Sequence, residues 1–156
     1  MATWWSTGST TRYRAIATSG YSAKMRTLGW PYPFSGGDWS DIESKYAALA
    51  SEHADFEYML AIVRSIRQSG VPNSLAGMTS MHDLIVAAVP LQSPPIETIV
   101  VRAPGSVYPP SSGYVLIEHL AVSGKNDRIE RPVEAATSLF WRFVIEKFGV
   151  RPVVIN

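Results

Sequence analysis

An apolar stripe along residues 42–66 constrains the fold more than any other feature of the sequence. Its members recur at alternating intervals of four and three residues, which is the spacing of one face of an α-helix. Further apolar positions make the stripe wider than a coiled-coil seam, so the helix must lie against a sheet or a core. The stripe consists of Ile42, Tyr46, Leu49, His53, Phe56, Leu60 and Val63, widened by Met59, Ile62 and Ile66.

Both ends of this helix carry sequence signals. Residues 40–43 (Ser-Asp-Ile-Glu) have the form of a capping box, which satisfies free amides of a first helical turn. Ser69 and Gly70, with Pro72 just beyond, supply a stop signal. The sequence therefore predicts one long helix from about residue 40 to about residue 68.

The segments after this helix are typical of strands. Residues 84–89 are apolar and residues 96–103 are mostly so, which predicts two strands. Residues 114–122 are apolar on both alternating faces apart from two neighbouring polar residues, which predicts a central strand covered on both sides. Residues 128–130 follow a turn and are expected to return along an edge. Residues 73–77 are expected to form a loop.

A second helix is predicted from Pro132, a residue suited to the first helical position, to Phe148, with Gly149 as its cap. Helices segregated from a run of strands indicate the α+β class. We therefore predict an antiparallel sheet of three to five strands, packed with one long helix and a C-terminal helix.

The first 39 residues differ from the rest of the chain in their aromatic content. This segment is expected to be an arm docked on a single α+β domain formed by residues 40–156, a size typical of one domain. Its eight aromatic residues are Trp4, Trp5, Tyr13, Tyr21, Trp30, Tyr32, Phe34 and Trp39.

Composition excludes several classes of function. The 156 residues include no Cys, which excludes disulfides and thiolate chemistry and fits a cytoplasmic protein. A formal charge of +1 argues against nucleic acid as a partner, and the longest apolar run is far too short to cross a membrane. The three His residues lack metal-binding spacing, so neither a metal site nor a cofactor is predicted.

Two groups of titratable residues are candidates for acid–base catalysis. Glu118 and His119 lie in the predicted central strand, where apolar neighbours can raise the pKa of a carboxyl group. His82, beside Asp83 at the start of a predicted strand, is a candidate general base. Each candidate has a structural alternative. Glu118 is an ion partner of Arg102, Arg128 or Arg131, and His119 makes one hydrogen bond at the core. His82 and Asp83 bond to loop amides.

Four aromatic residues in the arm are candidates for ligand binding: Trp30, Tyr32, Phe34 and Trp39. Aromatic rings of this kind can enclose a cation or stack on an apolar ligand. The structural alternative is that they pack over the sheet or over a second subunit.

Several stretches of the sequence carry a family resemblance. Residues 79–84 (TSMHDL), 126–132 (NDRIERP), 139–143 (LFWRF) and 147–149 (KFG) resemble segments of small bacterial proteins carried on mobile gene cassettes, of the integron cassette type. The resemblance implies an accessory bacterial protein with a binding or protective role, and a homodimer. It transfers no activity and no site residue.

The sequence therefore leaves three functional classes open. The favoured one is a non-enzymatic accessory protein that binds a small apolar or cationic ligand, or a protein partner. The second is a small cofactor-independent hydrolase or isomerase that uses Glu118 with His119 or His82. The third is an immunity-type interaction protein. A homodimer is also expected, because 46% of the residues are hydrophobic and only 17% are charged.

Overall fold

The computed structural model describes residues 29–153. Four of the eight aromatic residues of the predicted arm, Trp4, Trp5, Tyr13 and Tyr21, lie outside this range. The regular elements, in chain order, are α1 (Trp39–Glu52), α2 (Glu57–Gln68), β1 (Leu75–Ser80), β2 (Asp83–Ala88), β3 (Thr98–Val101), β4 (Tyr114–Leu120), β5 (Asp127–Pro132) and α3 (Ala136–Phe148).

The five strands form one antiparallel sheet in the order β1-β2-β3-β4-β5, so every strand pairs with its neighbours along the chain. This arrangement confirms the predicted α+β class, with its antiparallel sheet and C-terminal helix. The three apolar segments became β2, β3 and β4, and the predicted return along the edge became β5.

One face of the sheet, which we call the helix face, packs against the three helices. Its side chains join those of the helices in a single core, because alternate residues of a strand point to the same side. Tyr46, Met59 and Phe140 are the largest fully buried side chains that the helices contribute. The helix-face residues are Leu84, Val86, Ile99, Val101, Val115 and Ile117.

The opposite side of the sheet is called the second face here. It carries Ile85, Val100 and Leu116, all of which are buried. Beside these residues, on the same face of β2 and β4, lie the charged side chains of Asp83 and Glu118. A sheet buried on both faces agrees with the apolar character of β4 in the sequence.

The segment predicted as one long helix forms two. His53 has an extended backbone (φ −135°, ψ 102°), and a 3₁₀ turn over Ala54–Phe56 follows it before α2 begins. Glu43 in α1 pairs with Arg67 in α2 at 2.5 Å, whereas one straight helix would hold these residues about 36 Å apart. The two helices therefore run antiparallel, and both turn their apolar sides to the sheet.

Helix α1 begins one residue earlier than predicted and uses a different cap. The carboxylate of Asp38 accepts hydrogen bonds from the Ser40 amide (2.8 Å) and from the Ser40 hydroxyl (2.7 Å). The Ser40 hydroxyl is thus a donor to the capping residue, and Asp38 is the N-cap.

Strand β1 falls partly where the sequence predicts a loop. It contains Gly77, whose backbone lies against the ring of Trp39: a Cβ atom added to Gly77 would be 2.3 Å from Cη2 of that ring. The Trp39 indole N–H is directed at the carbonyl oxygens of Pro72 and Leu75, both at 3.1 Å. The close approach of glycine and tryptophan fixes the start of α1 on the edge strand.

Within residues 29–153, no helix is long and apolar enough to cross a membrane.

We predict that Gly77→Ala lowers the free energy of unfolding by about 1–3 kcal/mol, because the added methyl group must displace the Trp39 ring. Gly36→Ala is the matched control, since its Cβ would meet only the Ala76 side chain, at an ordinary contact distance of 3.5 Å. Urea denaturation of both variants measures the effect. Equal stability of the two variants would contradict the packing described here.

Candidate functional site

The three predicted catalytic residues do not form one cluster. Glu118 and His119 are neighbours on β4, so their side chains lie on opposite faces of the sheet. His82 lies in the tight turn between β1 and β2, with a positive φ of 74° and an exposed side chain. Their proposed catalytic roles stay a prediction, and the structure assigns each of them a separate set of contacts.

Glu118 is part of an ion network on the second face. Its carboxylate lies 2.7 Å from a terminal nitrogen of Arg102 and 3.4 Å from Nε of Arg128. The other terminal nitrogen of Arg102 donates to Asp83 at 2.9 Å. This geometry corresponds to the paired-ion alternative for Glu118, with two of the three arginines named from the sequence as its partners.

Asp83 anchors the loop that follows β3. Its carboxylate accepts hydrogen bonds from the Ala103 amide (2.7 Å) and the Ser106 hydroxyl (3.0 Å), in addition to the bond from Arg102. Burial acts to lower the pKa of Arg102, but the charges and hydrogen bonds of Glu118 and Asp83 outweigh it and raise that pKa. The guanidinium therefore stays charged, and Tyr108 lies over it with its ring centre 5.3 Å away.

His119 lies on the helix face and is 5% exposed. Its Nε2 is 2.5 Å from Oε2 of Glu97, while Nδ1 has no hydrogen-bond partner among the described residues.

His82 contacts α1 and the turn before α2. Its backbone carbonyl accepts a 2.6 Å hydrogen bond from the Tyr46 hydroxyl, and the His82 ring contacts Phe56 edge-on. Burial, together with the nearby charge of Asp83, raises the pKa of Tyr46 far above its ordinary value, so this phenol remains a donor.

The four aromatic residues predicted to bind a ligand are divided between two places. Trp30 and Tyr32 meet edge-on, with ring centres 5.4 Å apart, and the Trp30 backbone pairs with Ile96. Trp39 is held on β1 by its contact with Gly77 and its bonds to two carbonyl groups. Among residues 29–153, no ring contact joins Phe34 or Trp39 to the Trp30–Tyr32 pair, so these residues do not form a cage there.

A cavity of about 580 Å³ lies elsewhere, between the start of α2, the loop 104–113 and the start of α3. This volume falls within the range of small-molecule sites. Two tyrosines line it: Tyr58, which is buried, and Tyr114, which is 43% exposed. Its apolar lining includes Ala54, Ala61, Pro104, Pro110 and Val133.

Every charged residue described in the wall of this cavity is acidic: Asp55, Glu57 and Glu134. All three carboxylates stand in the first turn of a helical element. A helix N-terminus contributes about half a positive charge, which offsets only part of the negative charge of the three carboxylates.

Tyr58, in the wall of this cavity, is hydrogen-bonded to a residue of the ion network. Its hydroxyl donates a 2.6 Å hydrogen bond to the backbone carbonyl of Arg102. Burial, with contributions from the charges of Asp83 and Asp55, raises the pKa of Tyr58 well above its ordinary value. The phenol is therefore neutral, and the ring is held in the cavity wall by this hydrogen bond.

Sequence reasoning missed this cavity because its parts are distant along the chain. The three acids looked like ordinary residues at helix starts, where negative charge is favourable. Among residues 29–153, no group of three or more His, Asp or Glu side chains is arranged to hold a metal ion.

Comparison with known proteins gives no further guide to the site. No family model matches the chain, and no curated protein or solved structure is significantly similar to it.

We predict that Glu118→Gln lowers the free energy of unfolding by about 1–3 kcal/mol, because Arg102 and Arg128 each lose a charge-assisted partner. The control is Glu146→Gln, which removes an exposed carboxylate of α3 paired with the exposed Arg142 and should change stability by less than about 0.5 kcal/mol. Chemical denaturation measures both. A Glu118→Gln variant more stable than the wild type would instead indicate that the carboxylate is kept for function.

Proposed function

We propose that this protein is a non-enzymatic accessory protein that binds a small organic cation in the acidic cavity. The observation that carries the proposal is the composition of the cavity wall, where three carboxylates and two tyrosines stand without any described basic residue. A cation gains from the negative potential and from the faces of aromatic rings. A neutral apolar molecule gains only from the apolar lining.

The size of the cavity and its walls support a ligand with an apolar or aromatic body. A volume of about 580 Å³ exceeds that of a hydrated metal ion and suits a molecule of drug-like size. Tyr114 is accessible at the rim, and the Pro104 and Pro110 rings add stiff apolar surface. A quaternary or primary ammonium group on an aromatic or branched body fits this combination.

An accessory binding role is also what the resemblance to cassette proteins implies, and we extend that role to this chain as part of the proposal. A cationic ligand is one of the alternatives that the sequence left open, beside an apolar ligand and a protein partner, but the proposed residues differ. The cavity acids and tyrosines replace the arm residues Trp30, Tyr32, Phe34 and Trp39.

The test compares three probes that share a benzene ring and differ in charge: benzyltrimethylammonium, benzyl alcohol and benzenesulfonate. Isothermal titration calorimetry should find the cation bound at least about tenfold more tightly than the alcohol, and the sulfonate not bound. Added salt should weaken cation binding, because the three carboxylates are exposed to solvent. Equal affinities for the cation and the alcohol would contradict the electrostatic part of the proposal.

We predict that Glu57→Gln and Glu134→Gln each weaken binding of benzyltrimethylammonium by about threefold to tenfold, because each removes one negative charge from the wall. Tyr114→Ala should weaken it by a similar factor through the loss of a ring face. Glu146→Gln is the control, since this carboxylate lies on α3 outside the cavity wall. Unchanged affinity in all three cavity variants would overturn the proposed site.

A further inference from the structure

Strand β5 is an edge of the sheet, and within residues 29–153 no strand pairs with its outer side. Five of its six residues are exposed, and Ile129 is half-buried. The other edge, β1, is partly covered, because the Gly37 amide donates to the Gly77 carbonyl at 2.8 Å and Lys45 reaches Thr79. An open edge presents unpaired amide and carbonyl groups to any strand that can meet them.

The register of the sheet shows which backbone groups of β5 point outward. The Val133 amide donates to the Gly113 carbonyl, so Val133 points towards β4. Alternation along the strand then directs the backbone of Arg131, Ile129 and Asp127 towards β4 as well. The outward-pointing backbone groups are therefore those of Arg128 and Glu130.

The side chains of β5 have a charge pattern that is complementary to itself. If a second copy of β5 pairs with it in antiparallel register about a two-fold axis at Ile129, Arg128 faces Glu130 of the other copy. Asp127 faces Arg131 in the same way. All four cross-strand charge pairs are then opposite in sign, which stabilises pairing, and the Ile129 side chains meet at the axis.

The same register satisfies the backbone. The outward amide and carbonyl of Arg128 fall opposite those of Glu130 in the other copy, which is the arrangement of a hydrogen-bonded antiparallel pair. Four hydrogen bonds form by symmetry. In the single chain the Glu130 carbonyl accepts a 2.9 Å hydrogen bond from the Arg131 side chain. In the dimer the Arg128 amide of the other copy would replace this donor.

We propose that this protein forms a two-fold homodimer in which the β5 strands of two copies pair about Ile129 to make one continuous ten-stranded sheet. The charge ladder Arg102–Glu118–Arg128 then continues across the axis to Glu130 of the second copy. Arg128 contacts Glu118 through Nε, which leaves its two terminal nitrogens for the new carboxylate.

Helix α3 does not obstruct this pairing. It packs over β4, with β3 and β5 on either side. In a continuous sheet the two copies of β4 are three strand spacings apart, about 14 Å, and a helix with its side chains is about 10–12 Å wide. The two α3 helices therefore fit side by side on the helix face. An interface this short predicts a dissociation constant in the micromolar range.

Analytical ultracentrifugation of the full chain between about 5 and 500 μM tests the dimer, since this interval spans micromolar affinities. The wild type should pass from a 17.1 kDa monomer towards twice that mass as concentration rises. A wild type that remains monomeric throughout would overturn the proposal.

Two charge-reversed variants test the register. Arg131→Asp places Asp127 opposite an acid in its own dimer, and Asp127→Arg places two arginines opposite each other. Each variant alone should associate at least about tenfold more weakly than the wild type, whereas an equimolar mixture of the two should regain wild-type association. A mixture that associates no better than its components would contradict this register.

A backbone variant tests the strand pairing itself. Glu130→Pro removes an outward amide without breaking the bonds to β4, so it should abolish association. Glu130→Ala is the matched control: it also removes the carboxylate and its bond to the Ser111 amide, but it keeps the backbone donor and should dimerise more strongly than the proline variant. Equal association of the two variants would overturn the pairing, and circular dichroism verifies that both are folded. Association is measured without any ligand, so a failure of cation binding would leave these outcomes unchanged.

Discussion

The side chain and backbone of Arg102 connect two strands and a helix. Its guanidinium bridges Asp83 on β2 and Glu118 on β4, and its carbonyl accepts the hydroxyl of Tyr58 from α2. Losing one charge-assisted hydrogen bond in this partly buried network costs about 1–3 kcal/mol, because a charge is left without its partner. Asp83 also binds Ala103 and Ser106, so the same network fixes the loop that forms one wall of the cavity.

The break between α1 and α2 forms the wall of the cavity opposite this loop. A continuous helix would carry half of the apolar stripe past the end of the sheet, where it could not be buried. Turning the chain at His53 folds the second half back, so that Phe56, Met59 and Ile66 all enter the core. The hydrophobic free energy of these side chains, about 1.5–3 kcal/mol each, outweighs the cost of an extended residue. The turn also places Asp55 and Glu57 at the cavity.

Local patterns in the sequence predicted most of the elements. The apolar runs of β2, β3 and β4 and the helix ending at Gly149 were identified because burial on both faces, or a left-handed cap, leaves a local signature. Strand β1 was missed because residues 75–80 contain glycine and small polar residues. Glycine at position 77 is explained by tertiary packing, because the Trp39 ring lies against its backbone.

The candidate site was less predictable for the same reason. Sequence reasoning could name Arg102 and Arg128 as partners of Glu118, but the choice among arginines depends on strand register. Glu118 faces Val100 and Arg128 across the sheet, and Arg102 lies two residues further along the same face. The cavity joins residues 54–61 with residues 104–114 and 133–134, and no local pattern links segments so far apart.

Pro132 lies between the cavity proposed to bind a cation and the β5 edge proposed to pair with a second copy. Proline has no backbone amide, so strand pairing along the edge of β5 ends before it. Immediately beyond it the chain turns into a 3₁₀ helix at Val133, which carries Glu134 into the cavity wall. A two-fold axis at Ile129 therefore lies away from the cavity, with Pro132 between them. In such a dimer residues 127–131 form the strand pair and line no part of the described cavity wall, and Glu130 also accepts a hydrogen bond from the Ser111 amide in that wall.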